Sequence, residues 1–194
     1  YLIQNLLQYH SHHLDQTQGT FNHSLSVANL AEAAANEVGA NSLLARVGAL
    51  YHDIGKMNNP SYFSENQLTG VNPHDELNSK ESVRIILDHV IQGIEIARKY
   101  NIPERVIDFI RTHHGTSLVY YFYNKDLKLE IKPDEKDYMY GGPKPFSKET
   151  AIVMMCDGVE AASKSLKNPD FVKINEFVNL IISKQINSDQ FINA

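Results

Sequence analysis

The sequence predicts an all-α fold, organised as a single helical bundle with two long loops. Apolar residues recur at spacings of three and four along most of the chain, as at Val27, Ala31 and Ala34, and this is the pattern of a helix with one buried face. No alternating segment of comparable length indicates a strand. At 194 residues and 42% hydrophobic content, the chain is long enough for one domain with a substantial core.

Capping residues predict the boundary between the first two helices. Asn22 is a candidate cap for a helix that begins near His23, and Gly39 is suited to end that helix. Ser42 is a candidate cap for the next one. The two helices are therefore predicted to meet near Gly39.

Further helices are predicted over the remainder of the chain. They span 82–100, 103–114, 147–167 and 170–184, and Pro103 suits a first-turn position. The segment LKLEI, 127–131, is compatible with a short strand. A short strand pair is therefore the one departure from an all-α fold that the sequence allows.

Two long segments interrupt the helical pattern. The first, 56–80, is rich in Asn, Pro and Ser, and the second, 127–146, is charged and ends in YGGPKPF. Long irregular loops in compact domains often carry function. The glycines of YGGPKP, 140–145, would let the backbone approach a ligand and form a pocket rim, and an ordinary surface turn is an equally good interpretation.

Charge and cysteine content narrow the class of protein. A net charge of -5 and a pI near 6.0 argue against binding a nucleic acid polymer through a cationic surface. Cys156 is the sole cysteine, which excludes an internal disulfide and a thiolate metal site and suits a reducing compartment. No apolar run reaches about 18 residues, the minimum for a membrane span. The start at Tyr1 and the polar end NSDQFINA predict a fragment of a longer protein.

A histidine and an aspartate, His52 and Asp53, lie side by side at the end of a predicted apolar helix. Burial of a carboxylate is costly unless it is paired or bound to a metal. Taken alone, the pair is better explained as a hydrogen-bonded aspartate beside a buried histidine. Other imidazoles and carboxylates at helix ends or on apolar helices favour a site for manganese, iron or zinc instead: His23, His89, His113, His114 and Asp157.

The order of these residues resembles the HD-domain metal-dependent phosphohydrolases, and the match runs from His23 to Asp157. The segments HDIGK, NPHDELN, HHGTSLVYYFY and YGGPKPFSKETAIVMMCDGVEAA are similar to the cytosolic HD domain of seven-transmembrane bacterial cyclic-di-AMP phosphodiesterases. This resemblance implies an HD-domain helical bundle over 1–194. It also implies a cytoplasmic domain of a cell-membrane protein whose membrane segments lie outside this chain.

The resemblance further implies two divalent transition-metal ions, iron or manganese, bridged by Asp53. Two ions about 3.5 to 4 Å apart can share a hydroxide that attacks phosphorus. Lys56, about one helical turn after Asp53, would stabilise a phosphoryl oxygen or protonate the leaving 3′ oxygen, and a solvated lysine at the helix end is the alternative. The implied ligands are His23, His52, Asp53 and Asp157 for one ion, and His89, His113, His114 and Asp53 for the other.

The implied reaction is hydrolysis of cyclic-di-AMP to linear 5′-phosphoadenylyl-adenosine, with a cyclic dinucleotide as partner and no nucleic acid polymer. Cyclic-di-GMP phosphodiesterases with a Gly-Tyr-Pro signature typically have a glutamate after their histidine pair, whereas Gly115 follows the pair here and YGGP stands nearest to the signature. A cyclic-di-GMP phosphodiesterase is therefore the less favoured alternative. A non-catalytic nucleotide-binding HD module is the alternative of a different class, and the oligomeric state is left open.

Three other features are given structural interpretations. His74 and Asp75 form a second HD pair in a polar loop, where Asp75 is interpreted as a turn or helix cap. The aromatic run 120–123 is interpreted as core rather than as a surface that stacks on a base. The histidines near the start of the chain are interpreted as a solvated face, with adventitious metal binding as the alternative: His10, His12 and His13.

Overall fold

The computed structural model describes residues 14–67, 70–129 and 132–194, and these ranges contain seven α-helices and several 3₁₀ turns. Within them no strand forms, and Leu118 and Met139 make one isolated β-bridge. The all-α prediction is confirmed. The helices are α1 (Leu14–Glu37), α2 (Ser42–Tyr51), α3 (Ser79–Lys99), α4 (Glu104–Thr112), α5 (Tyr120–Lys128), α6 (Lys148–Ser163) and α7 (Phe171–Asn187).

The start of α1 differs from the prediction, because the helix already includes Leu14 and runs through Asn22. The Asn22 side chain accepts a hydrogen bond from the Gln18 amide at 3.0 Å, one turn earlier on the helix surface, so it does not serve as a cap. The predicted end near Gly39 is correct, and this glycine has a φ of 66°. Asn41 rather than Ser42 caps α2, since its side chain accepts from the Leu44 amide.

Capping also sets the other helix starts. Helix α3 begins three residues before the predicted position because Asn78 and Glu81 form a capping box, with hydrogen bonds of 3.0 and 3.1 Å. Ser147 and Asp170 cap α6 and α7 with their side chains. Pro103 lies at the N-cap position of α4 without a side-chain hydrogen bond, one residue before the first-turn position that was predicted for it. The predictions placed each of these helix starts within one residue.

The possible strand at 127–131 is wrong where the structure describes it. Leu127 and Lys128 form the end of α5, and the Leu129 amide donates back to the Lys125 and Asp126 carbonyls. Residues 130 and 131 lie outside the described ranges. In the aromatic run at the start of α5, Phe122 is buried but Tyr120 and Tyr121 are exposed, so the core interpretation holds only for Phe122 among these three.

Two apolar clusters hold the end of α2 in place. One packs alanines of α1 against Ala45 and Ala49 of α2, with Phe109 of α4 and Val153 of α6 beside them. The other joins α3 and α4 around Tyr51, at the last position of α2. The residues that follow Tyr51 are therefore fixed between four packed helices. Within the described ranges, no helix combines the length and apolarity that crossing a membrane requires.

The turn after α2 contacts α3 through backbone atoms. A Cβ atom added to Gly55 would lie 1.8 Å from the His89 carbonyl oxygen and 2.6 Å from the Gly93 amide nitrogen. This approach leaves no space for any side chain at Gly55. The turn that carries Asp53 is thereby held directly against the helix that carries His89.

The second HD pair is structural. His74 is buried between the rings of Tyr62 and Phe122, and its Nε2 atom lies 3.0 Å from the Tyr62 carbonyl oxygen. Asp75 lies in the 3₁₀ turn Pro73–Glu76, which Asn72 caps. The turn interpretation of Asp75 is correct, whereas the cap is Asn72.

Buried His74 makes the fold sensitive to acid. Burial lowers the pKa of His74 below its ordinary value of 6.5. A depressed folded-state pKa gives a stability contribution that is complete above the unfolded pKa and is lost as the pH falls below it. In metal-free protein, we expect the stability difference between wild type and His74→Gln to shrink from about pH 7.5 to about pH 5.5. Urea unfolding at each pH measures this, and a pH-independent difference would contradict it.

Candidate metal centre

The seven histidines and aspartates singled out by the sequence converge where α2 ends. They form two groups, and within each group one ligand atom per residue lies within 4.8 Å of the others. We call His23, His52, Asp53 and Asp157 the first cluster, and Asp53, His89, His113 and His114 the second cluster. These sets coincide with the two ligand sets that the resemblance implied. His10, His12 and His13 lie outside the described residues.

Helix ends and buried helix faces deliver these side chains. His52 and His113 are the C-cap residues of α2 and α4, so each leaves its helix as the backbone turns. His23, His89 and Asp157 project from the buried faces of α1, α3 and α6. Adjacent His113 and His114 can join one cluster because α4 ends at Thr112, and their ring centroids are 4.0 Å apart.

Three of the histidines are oriented by the backbone of their own helix. In each, Nδ1 hydrogen-bonds to the carbonyl oxygen three residues earlier, which leaves Nε2 facing the site with its lone pair. These bonds join His52 to Ala49 at 2.6 Å, His89 to Ile86 at 2.5 Å and His113 to Ile110 at 2.8 Å.

The Asp53 carboxylate lies between the clusters. Its Oδ2 atom is 3.5 Å from His23 Nε2 and 3.3 Å from His52 Nε2. Its Oδ1 atom is 3.5 Å from His89 Nε2 and 3.4 Å from His113 Nε2. Each oxygen thus faces a different cluster, an arrangement that suits a carboxylate shared by two ions.

Buried nitrogen and oxygen atoms without hydrogen-bond partners indicate that the two clusters are suited to bind metal ions. His52 Nε2 and Asp53 Oδ1 are buried without a hydrogen-bond partner among the described residues, an arrangement that is costly in a protein interior. The Nε2 atoms of His89 and His113 lie 3.2 Å apart, and both are acceptors when Nδ1 carries the proton. A cation satisfies all of these lone pairs, and imidazole with carboxylate suits iron, manganese or zinc.

The two clusters differ in charge. Burial opposes protonation of His52, but Asp53 and Asp157 outweigh it and raise the His52 pKa to about 10. Burial, reinforced by the neighbouring His113, lowers the pKa of His89 to about 3. Burial likewise holds the pKa of His114 well below its usual value. In metal-free protein the first cluster therefore holds a proton on His52, which a bound metal ion would displace, and the second offers neutral imidazoles.

Lys56 is part of the site rather than a solvated lysine. Its Nζ atom lies 2.7 Å from Asp53 Oδ2 and 2.9 Å from Glu65 Oε1, and its side chain is only 13% exposed. It also lies over the Phe63 ring, 5.1 Å from the centroid. Burial disfavours the charged lysine, but Asp53 and Glu65 outweigh it and raise its pKa. Lys56 is thus a fixed cation beside the proposed bridging carboxylate.

Three further side chains contact residues of the site: Glu65, Glu160 and Tyr140. Glu65 lies in the first long loop, where nothing in the sequence distinguished it from other polar residues. Glu160 lies one helical turn after Asp157, so its spacing of three on α6 was an available signal; it hydrogen-bonds His23 Nδ1. Tyr140 stacks on His114 with centroids 4.1 Å apart, which favours the pocket-rim interpretation of YGGPKP.

A cleft of about 310 Å³ opens beside the first cluster. Its walls come from α1, the first long loop and the end of α6, and they include His23, Glu65 and Glu160. Glu65 pairs with Lys56, and Glu160 contacts His23 and the exposed Lys164. Of the first cluster, His23 lines this cleft.

A helical bundle that holds two His and Asp clusters joined by one aspartate is the arrangement of an HD domain. The HD domain family model matches residues 20–162. The chain belongs to the HD-domain family. The cyclic-di-AMP phosphodiesterase PgpH of Listeria monocytogenes serotype 1/2a (strain 10403S) is 49% identical over 178 residues, covering 92% of this chain and 25% of that protein. The PgpH of Bacillus subtilis (strain 168) is 47% identical over 178 residues, with the same coverages of 92% and 25%.

A solved structure shares the fold over nearly the whole chain. The crystal structure of the L. monocytogenes PgpH HD domain in complex with cyclic-di-AMP has a TM-score of 0.90 and 46% identity, covering 99% of this chain and 86% of that chain. The chain spans about a quarter of the length of these two curated relatives, since the match covers 25% of each.

Proposed function

We propose that this domain is a phosphodiesterase that hydrolyses cyclic-di-AMP to linear 5′-phosphoadenylyl-adenosine with two divalent ions, iron or manganese. The observation that carries the proposal is Asp53, whose two carboxylate oxygens face different clusters. Substrate choice is supported by relatives named for cyclic-di-AMP at 47% and 49% identity. The relatives' greater length supports a second proposal, that 1–194 is the HD domain of a longer protein, and the resemblance to seven-transmembrane phosphodiesterases makes it the cytoplasmic domain of a membrane-anchored one.

The two clusters would hold one ion each, with Asp53 in both ligand sets. When bound, such a pair of ions lowers the pKa of a shared water and offsets the charge that develops on phosphate. Hydrolysis adds one water across a P–O3′ bond of the cyclic dinucleotide. The product then carries a free 3′ hydroxyl and a 5′ phosphate.

The protein's own contribution is to fix charge before the substrate arrives. The Nδ1 bonds to backbone carbonyls hold three imidazoles with Nε2 directed inward. Lys56 remains protonated at neutral pH, because Asp53 and Glu65 raise its pKa. This makes electrostatic stabilisation of a phosphoryl oxygen the better role for Lys56, since a strongly held proton is poorly donated to a leaving oxygen.

One assay separates the candidate functions. Purified protein is loaded with manganese or iron, its metal content is measured, and cyclic-di-AMP and cyclic-di-GMP are followed by chromatography. We expect two ions per chain and preferential conversion of cyclic-di-AMP to the linear dinucleotide. Preferential loss of cyclic-di-GMP would overturn the substrate assignment. Two bound ions without turnover of either compound would favour the non-catalytic nucleotide-binding module.

Replacing Lys56 tests its electrostatic role. We expect Lys56→Met to lower kcat for cyclic-di-AMP by about 10²- to 10³-fold, the usual effect of removing one group that stabilises transition-state charge. Metal content is expected to stay at two ions, because Lys56 is not in either ligand set. Lys80→Met is the matched control, since Lys80 is an exposed lysine paired with Asp137 away from the clusters. A Lys56→Met protein with unchanged kcat would refute the role.

A further inference from the structure

We propose that Glu160 is a positioning residue that makes the first cluster the tighter of the two ion sites. The inference rests on the proposed function in one respect, that both clusters bind divalent ions. Glu160 is not in either ligand set, and it acts through His23, whose Nδ1 atom hydrogen-bonds to Glu160 Oε2.

The hydrogen-bond partner of Nδ1 distinguishes His23 from His52, His89 and His113. In His52, His89 and His113, Nδ1 donates to a neutral backbone carbonyl. In His23 it faces the carboxylate of Glu160, which lies on α6 one turn beyond Asp157. A carboxylate in this position fixes the imidazole tautomer and makes Nε2 a stronger donor to a metal.

Geometry shows what this contact achieves. With Nδ1 held by Glu160, His23 Nε2 points into the first cluster, 2.9 Å from Asp157 Oδ1 and 3.5 Å from Asp53 Oδ2. His23 comes from the middle of α1, so no helix end helps to aim its ring. The side chain of Glu160 supplies the orientation that His52, His89 and His113 obtain from their own backbone.

Charge adds to the difference between the clusters. The first cluster contains two carboxylates, Asp53 and Asp157, and Glu160 adds a third beside it, whereas the second contains Asp53 alone. The Lys56 ammonium lies 2.7 Å from Asp53 Oδ2 but is also paired with Glu65, so Asp157 and Glu160 remain as the excess negative charge of the first cluster. Lys164 Nζ lies 3.2 Å from Glu160 Oε2. The Lys164 side chain is 51% exposed, so water screens its charge. A divalent cation is therefore attracted more strongly to the first cluster, and the two ions load in order.

Manganese titration of metal-free protein tests the inference without any substrate. Free Mn²⁺ is followed by electron paramagnetic resonance, and we expect a tight and a weaker binding phase in the wild type. Glu160→Gln keeps a hydrogen-bond acceptor but loses the charge, and we expect it to weaken the tight phase by about 10- to 100-fold. Glu160→Ala loses both and is expected to weaken it at least as much. The weaker phase is expected to stay unchanged in both variants.

Two further variants assign the phases. His89→Gln removes a ligand of the second cluster only, so we expect it to abolish the weaker phase and keep the tight one. Lys164→Gln removes the other partner of Glu160 without touching His23, and we expect the tight phase to change by less than about fivefold.

The possible outcomes separate this inference from the proposed function. If wild type binds two ions and Glu160→Gln binds both with wild-type affinities, the role of Glu160 fails and the proposed function stands. Equal weakening of both phases would show general damage and also overturn the role. Loss of the tight phase in His89→Gln would show that the second cluster is the tighter site, and it would overturn the proposed role of Glu160. A wild type that binds no manganese or iron would overturn both proposals.

Discussion

Asp53→Ala is expected to lose both ions and to reduce phosphodiester hydrolysis by at least about 10³-fold. The bound ions are expected to supply several kcal/mol of transition-state stabilisation, and each 1.36 kcal/mol is about tenfold in rate. The carboxylate faces both clusters, so its removal takes one ligand from each ion at once. Elemental analysis of the purified variant and chromatographic assay of cyclic-di-AMP hydrolysis measure the two losses.

A second variant and a matched control keep this prediction testable. Asp53→Asn retains the size of the side chain but not its charge, and we expect it to lose both ions as well. Asp75→Ala changes the aspartate of the other HD pair, which lies in the turn after Asn72, and we expect wild-type metal content and activity. Two tightly bound ions in either Asp53 variant would show that the carboxylate does not bridge.

Gly55→Ala is expected to destabilise the fold and to disturb the metal centre together. The added methyl group would lie 1.8 Å from the His89 carbonyl oxygen, so the turn and α3 must move apart. Overpacking of this kind costs about 3 kcal/mol or more when the obstacle is backbone. Asp53 lies two residues before Gly55, so the same movement separates Asp53 from His89. We expect a lower urea midpoint and fewer than two ions per chain.

Gly141→Ala is the matched control for the Gly55 prediction. A Cβ atom at Gly141 would meet no atom within 4 Å, and we expect the unfolding free energy to change by less than about 0.5 kcal/mol. Wild-type stability and metal content in Gly55→Ala would show that the close contact with α3 is not required.

The clustered side chains were predictable because their residue types are unusual where they occur. A histidine or aspartate on an otherwise apolar helix must be satisfied by something, and seven of them in one chain point to a shared site. How they divide between two ions did not follow from periodicity, because helix packing decides which rings meet. That division came from the resemblance, and the structure brings the same two groups together.

Local patterns failed where packing or a neighbouring residue decided the outcome. Asparagine often caps helices, yet α1 continues through Asn22. The apolar face of this helix packs into the core, and this packing stabilises the helix on both sides of Asn22. The five-residue alternation in LKLEI was too short to outweigh the end of α5, which includes Leu127 and Lys128. Glu65 could not be found from sequence because its contact with Lys56 depends on how the first long loop folds back.

The outer hydrogen bonds of the histidines bear on how this centre tolerates mutational drift. His52, His89 and His113 are aimed by main-chain carbonyls, so no partner side chain has to be preserved for them. The residues that supply those carbonyls are constrained only by packing, and substitutions that keep the helix leave the rings in place. His23 depends on a side chain 137 positions away in sequence. Of these four imidazoles, three are therefore insensitive to side-chain substitution elsewhere, whereas His23 is vulnerable to a single substitution at Glu160.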